Sequence, residues 1–123
     1  MIITEDMTEG SYIRKAYEPG KITVNESTYT QSLIISKNQL TTDWEPQSIA
    51  QLNPSHFDAI VTLQPEIVLL GTGIAFHLPE HRLLAPLYEK GFGVECMDTG
   101  AACRTFTALL SEKRNVIAAL LIQ

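Results

Sequence analysis

The chain has 123 residues, of which 45% are hydrophobic and 19% are charged, and its formal net charge is −5 at pH 7. This composition is typical of a globular protein and excludes an intrinsically disordered one, and we predict a single domain that spans residues 1–123. Because the chain is acidic and its Lys and Arg residues are scattered, a nucleic-acid partner is not expected.

The N-terminal segment MIITEDMTEG contains three carboxylates and no apolar core, which argues against a secretory signal or an Arg-rich transit sequence. The longest apolar run, residues 116–122, has seven residues, whereas a membrane-spanning helix needs about 20. We therefore predict a cytoplasmic protein with no membrane span, in which Cys96 and Cys103 are reduced thiols.

The first half of the chain has strand-like patterns. Residues 21–24 and 29–36 are separated by the polar turn 25–27, so we predict that they form a hairpin. Another short strand is predicted over residues 40–44 and stops at Pro46.

A helix follows this β-rich part. Asn53-Pro54 predicts its start, because Asn is a favoured N-cap and Pro is tolerated at the first helical position. Phe57, Ile60 and Val61 have the i, i+3, i+4 spacing of a buried helix face, and Pro65 ends the helix.

In the second half, apolar runs alternate with helical patterns. Strands are predicted over residues 67–70, 94–97 and 116–122. Alternation of this kind implies right-handed crossovers and a parallel central sheet that helices cover. The predicted fold class is therefore α/β, a three-layer domain in which the N-terminal hairpin either extends the sheet or packs as an added layer.

Two helices are predicted between these three strands. The first has an apolar face that includes Leu83, but Pro86 makes it either short, beginning near Leu83, or kinked. The second is capped by Asp98 or Thr99 and ends near Arg114.

Both strand-to-helix junctions contain small and turn-forming residues. If strands 67–70 and 94–97 are parallel neighbours, the junctions open at the same edge, where open α/β sheets bind their ligands. Small neutral side chains there leave backbone amides accessible to an anion or a partner, and one Arg supplies positive charge. The candidate ligand- or partner-binding residues are Gly71, Thr72, Gly73, Asp98, Thr99, Gly100 and Arg104.

Simpler interpretations compete with a binding cleft. Gly71-Thr72-Gly73 resembles the start of a dinucleotide fingerprint, but Phe76 occupies the third glycine position, and a plain tight turn explains the motif better. Close packing of the helix on the sheet explains the small residues after Asp98 at least as well.

The candidate reactive and metal-binding side chains each have a structural argument against them. Cys103 lies near a helix N-terminus beside an arginine, where a thiol pKa can fall, but its i, i+3, i+7 apolar spacing turns it towards the core. His77 and His81 have the spacing of a zinc pair, but Pro79 between them argues against a shared helix face. We therefore predict no catalytic residue, no cofactor and no metal.

Four segments carry a resemblance to a known family: PEIVLLGTG, GFGVECMD, TGAACRTF and LLSEKRNVIAALL. They resemble NADH:ubiquinone oxidoreductase complex assembly factor 3 and its bacterial and archaeal relatives, over nearly the whole chain from residue 29 onward. The resemblance implies a mixed central sheet flanked by helices with an additional β layer, and it implies no catalytic mechanism. Mitochondrial members assemble respiratory complex I; without a mitochondrial presequence, this chain is expected to be of the prokaryotic type.

The leading functional hypothesis is a non-catalytic binding or assembly-factor-like module with a protein partner. The alternative is an enzyme that binds a small molecule or anion in the same cleft, with Cys103 or Asp98 as the reactive group. A third possibility is a domain that acts through self-association.

Overall fold

The computed structural model describes residues 17–123, which form two β-sheets with α-helices packed against them. The strands are β1 Tyr17–Glu18, β2 Lys21–Val24, β3 Ser27–Tyr29, β4 Leu33–Ile35, β5 Leu40–Thr41, β6 Ile67–Gly71, β7 Gly93–Met97 and β8 Val116–Leu120. The helices are α1 Asp58–Leu63, α2 His81–Glu89 and α3 Thr99–Ser111, with 3-10 turns at Ile49–Gln51 and Pro54–Phe57.

The larger sheet has five strands in the order β5-β4-β8-β6-β7. Strand β6 lies between β8 and β7 and is parallel to both. Strand β4 runs antiparallel to β8 and to β5. The predicted α/β class with a mixed central sheet is therefore confirmed, although only two of the four strand pairs in that sheet are parallel.

Both faces of the central sheet are covered. Side chains alternate along a strand, so Leu69 contributes to the core cluster that contains α3 and β2, whereas Leu70 contributes to the cluster that contains α1 and α2. The three-stranded sheet β1-β2-β3 and α3 form one outer layer, and α1 and α2 form the other. Burial on both faces explains why β6 and β8 are continuously apolar.

The predicted strand over residues 29–36 is divided in the structure. Residues 27–29 form β3, which pairs with β2 as the second arm of the predicted hairpin, whereas Leu33–Ile35 forms β4 in the central sheet. The chain leaves one sheet for the other at Ser32, whose backbone carbonyl accepts a hydrogen bond from the Trp44 amide at 2.9 Å. All three residues of β4 are buried, whereas β3 is largely exposed.

The predicted helix starts are confirmed at two positions. The Asn53 side chain accepts a hydrogen bond from the Ser55 amide at 3.1 Å, and the following turn is 3-10 before α1 begins. The Asp98 Oδ1 atom accepts from the Ala101 amide at 2.9 Å and caps α3. Helix α2 begins at His81, two residues before the start near Leu83 that was predicted for a short helix, and it contains Pro86.

The helices end through residues with a left-handed backbone. Gly91 follows α2 with φ of +77°, and its amide donates to the Tyr88 carbonyl at 2.9 Å. Helix α3 ends at Ser111, three residues before the predicted end, and Lys113 follows it with φ of +63°. At the end of α1, Gln64 adopts φ of +50°. Two of these three positions are therefore occupied by residues that are strained where glycine is not.

We expect Gln64→Gly to raise the free energy of unfolding by about 0.5–1 kcal/mol, because glycine relieves the left-handed strain and loses only part of that gain in unfolded-chain entropy. Lys90→Gly is the matched control, since Lys90 caps the end of α2 with an ordinary φ of −86°. There the same substitution should destabilise. Urea unfolding of the two variants tests the sign reversal, and destabilisation of both would contradict it.

Candidate functional site

The structure brings the two strand-to-helix junctions together at one edge of the central sheet. Gly71 and Met97 are paired in the parallel register of β6 and β7, so the residues that follow them lie side by side. The Thr72 amide donates to the Met97 carbonyl at 2.8 Å, and the Thr99 amide donates to the Gly73 carbonyl at 2.9 Å. The junctions are therefore bonded directly to each other.

Thr99 occupies the space between the junctions. Its side chain is fully buried, and its hydroxyl donates to the Leu121 carbonyl at 2.6 Å and accepts from the Gly73 amide at 2.8 Å. The Leu121 amide donates in turn to the Gly71 carbonyl at 3.0 Å. The Gly73 amide, which was expected to face a ligand, is thus paired inside the protein.

The two glycines of this edge are explained by close packing. A Cβ atom on Gly71 would lie 2.8 Å from the Thr99 Oγ1 atom. Gly73 has φ of +104°, and a Cβ atom there would overlap the main-chain carbonyl of Gln123. Both positions therefore require glycine for the approach of neighbouring chain segments, whether or not a ligand binds nearby.

Asp98, Gly100 and Arg104 form the more open part of this edge. Arg104 is exposed, and Asp98 and Gly100 are partly exposed. A Cβ atom on Gly100 would lie 3.3 Å from the Asp98 Oδ1 atom and 3.5 Å from an Arg104 guanidinium nitrogen. The opposite charges of Asp98 and Arg104 thus lie close to the same point beside Gly100, which limits the net positive potential there.

Cys103 is fully buried, at the same edge, in the cluster that includes Phe106. Burial raises the pKa of its thiol to about 12, and the nearby Arg104 offsets only part of this effect. The thiol is therefore protonated at neutral pH, and the thiolate that a cysteine nucleophile needs does not form there. Burial also raises the pKa of the half-buried Cys96.

An exposed apolar segment beside these junctions was not predicted from the sequence. Ile74, Phe76 and Leu78 lie in the loop between β6 and α2 and are 61%, 53% and 80% exposed. We call residues 74–78 the apolar loop. Its only sequence signal is the alternation of three large apolar residues between Gly73 and Pro79, a pattern that equally suits a half-buried strand.

Hydrogen bonds from Thr72 hold the apolar loop in place. The Thr72 hydroxyl donates to the Ala75 carbonyl at 2.8 Å and accepts from the His77 amide at 3.1 Å. Two residues of the loop, His77 and Leu78, border a shallow groove that Ile49 and Ala50 also line. The loop therefore presents its apolar side chains in a defined conformation.

Two further features of residues 17–123 bear on function. None of their helices combines the length and the hydrophobicity that are needed to cross a bilayer. Within the same residues, no three His, Cys, Asp or Glu side chains lie close enough together to hold a metal ion, and His81 instead stacks on Tyr88 with ring centroids 4.8 Å apart.

We expect Thr99→Val to lower the free energy of unfolding by about 1–3 kcal/mol, because the buried Gly73 amide and Leu121 carbonyl lose their shared partner. Thr107→Val is the matched control on the same helix: its buried hydroxyl has no hydrogen-bond partner among the described residues. That change should be neutral or slightly stabilising. Equal losses for both variants in urea unfolding would show that the Thr99 hydroxyl has no special role.

Comparisons with known proteins agree with this fold. Residues 14–121 match the model of a family described as a protein of unknown function (DUF498/DUF598). The solution structure of a Xanthomonas campestris protein is similar with a TM-score of 0.79 and 37% sequence identity, and the match covers 87% of this chain and 81% of that chain.

Two curated relatives are similar over most of the chain. The 13 kDa major membrane protein of Francisella tularensis subsp. holarctica is 31% identical over 117 residues, which are 94% of this chain and 95% of that protein. The NADH dehydrogenase (ubiquinone) 1 alpha subcomplex assembly factor 3 of Xenopus tropicalis is 30% identical over 121 residues, 97% of this chain but 65% of that protein. The chain therefore belongs to the DUF498/DUF598 family, which confirms the predicted relationship to complex I assembly factor 3 and its bacterial relatives.

Proposed function

We propose that this protein is a non-catalytic binding module that docks onto a protein partner through the apolar loop, in an assembly-factor-like role. The observation that carries the proposal is the exposure of Ile74, Phe76 and Leu78, three large apolar side chains on one short loop. Soluble domains rarely leave such side chains grouped in water unless another surface covers them for part of the time.

The anchored conformation of the loop favours binding. Association is opposed by the entropy that is lost when mobile side chains and loops become ordered. Because the Thr72 hydroxyl bonds to both Ala75 and His77, part of that ordering has occurred before the partner arrives. Phe76 is the expected centre of the contact, since a few large side chains usually dominate an interface.

The residues selected from the sequence have two different roles in this proposal. Gly71, Gly73 and Thr99 position the loop, because they join its base to the end of β8. Asp98 and Arg104 lie on the same edge and supply polar contacts at the rim of the interface, where charges affect partner choice and association rate more than affinity.

Family relationship supports a partner from the respiratory NADH dehydrogenase. The Xenopus tropicalis relative is named as an assembly factor of that complex and aligns with 97% of this chain. The buried and protonated Cys103 thiol argues against a reactive cysteine, and the Asp98 carboxylate already caps α3. A docking role agrees with both observations.

We expect the double variant Phe76→Ser, Leu78→Ser to lose binding to NADH dehydrogenase subunits that the wild type recovers by affinity purification from its own host. The variant should retain its stability within about 0.5 kcal/mol, because both side chains are exposed. Isothermal titration of the purified partner should then show an affinity loss of at least about tenfold, as expected for removal of an interface centre.

Leu63→Ser is the control for a general effect of surface hydrophobicity, since Leu63 is 40% exposed and lies outside the loop. It should leave partner binding unchanged. Identical partner lists for wild type and the loop variant would contradict the proposal. A wild-type dimer that the loop variant abolishes, observed by light scattering, would instead show that the loop joins two copies of this chain.

A further inference from the structure

A cavity of about 350 Å³ lies at the opposite edge of the central sheet from the apolar loop. It is located where β4 ends and β8 begins, and residues from the β4–β5 turn and from the turn after α3 border it. The exposed side chain of Leu63 supplies its apolar lining, while Val116 and Ile117, which also border it, are almost fully buried. This volume lies within the range of roughly 300–1,000 Å³ that is typical of small-molecule sites.

Positive charge is concentrated at this cavity, which we call the cationic cavity. Three of the nine Lys and Arg residues of the acidic chain line it, namely Lys37, Lys113 and Arg114. The described lining residues include no Asp or Glu, and their other polar side chains are Ser36 and neutral amides. An adjoining cavity of about 320 Å³ is bordered by the same three cations.

The cations differ in how they are paired. Arg114 donates from Nε and Nη2 to the Glu66 carboxylate at 3.1 and 2.6 Å, and Nη1 lies outside this pair. The negative charge of Glu112 also raises the pKa of Arg114. Lys37 and Lys113 form no ion pair among residues 17–123. Within the described part of the chain, the ion pair thus fixes the guanidinium, while two ammonium groups are left available for an anion.

Lys113 has an unusual backbone for a lysine. Its φ of +63° lies in the left-handed region, at the position after a helix that glycine usually occupies. The turn is held by hydrogen bonds from the Lys113 amide to the Leu110 carbonyl at 2.9 Å and from the Arg114 amide to the Leu109 carbonyl at 3.1 Å. Backbone strain of this kind recurs at ligand-binding positions.

We propose that the cationic cavity binds a small molecule that carries a phosphate group. Lys37 and Lys113 act as point charges for the phosphate oxygens, as lysines do in phosphate sites, and Arg114 adds directional N–H donors. The exposed Leu63 side chain accommodates an uncharged part of the ligand. The site is at the other edge of the sheet from the apolar loop, so it stands independently of the proposed partner surface.

Inorganic pyrophosphate is the probe that tests the site, by NMR titration of the ¹⁵N-labelled protein at constant ionic strength. We expect saturable shifts of the backbone amides over residues 36–39 and 113–117. The double variant Lys37→Gln, Lys113→Gln should weaken binding by at least about tenfold, because two charge-assisted contacts are lost. The same spectra show whether the variant retains its fold.

The matched control is Lys21→Gln, Lys90→Gln, which removes the same charge from two exposed positions elsewhere. This control should bind pyrophosphate as the wild type does. Equal weakening in both double variants would show that pyrophosphate responds only to net charge and would overturn the proposal. Shifts that increase linearly without saturation, or that are absent from residues 36–39 and 113–117, would overturn it as well.

Discussion

At the edge of the central sheet where β6 and β7 end, the structure depends on one buried hydroxyl group. Thr99 Oγ1 joins the amide of Gly73 to the carbonyl of Leu121, two backbone groups that water cannot reach. An unpaired buried backbone group is costly, so the turn after β6, the start of α3 and the end of β8 must keep one arrangement. Thr72 extends this arrangement into the apolar loop through its bonds to Ala75 and His77.

Helices and a second sheet cover both faces of the central sheet, and its two edges present different chemistry. Contact with other molecules is therefore left to loops and edges. At the edge where β6 ends, the exposed side chains of Phe76 and Leu78 suit contact with a protein surface. At the edge where β6 begins, Lys37 and Lys113 suit an anion. The proposed binding of a partner at one edge and of a small molecule at the other is compatible with a family whose relatives include an assembly factor.

Much of the fold was predictable from the sequence because it depends on interactions between residues that are close together in the chain. Asn53 and Asp98 cap helices through side chains that reach only two or three residues along the chain. The continuous apolar runs of β6 and β8 reflect burial on both faces. The division of residues 29–36 between two sheets was missed, since an uninterrupted strand pattern does not show where the chain changes partners.

The sequence by itself determined the α/β class, the helix caps at Asn53 and Asp98 and the meeting of two glycine-bearing turns at one edge, because each follows from periodicity, capping or parallel pairing. Only the tertiary structure decided what lies between those turns, since the Thr99 hydroxyl finds its partners on segments that are distant in sequence. The exposure of Phe76 and the approach of Lys37 to Lys113 were decided in the same way. Exposure and charge clustering are properties of how distant segments pack, and no local pattern carries them.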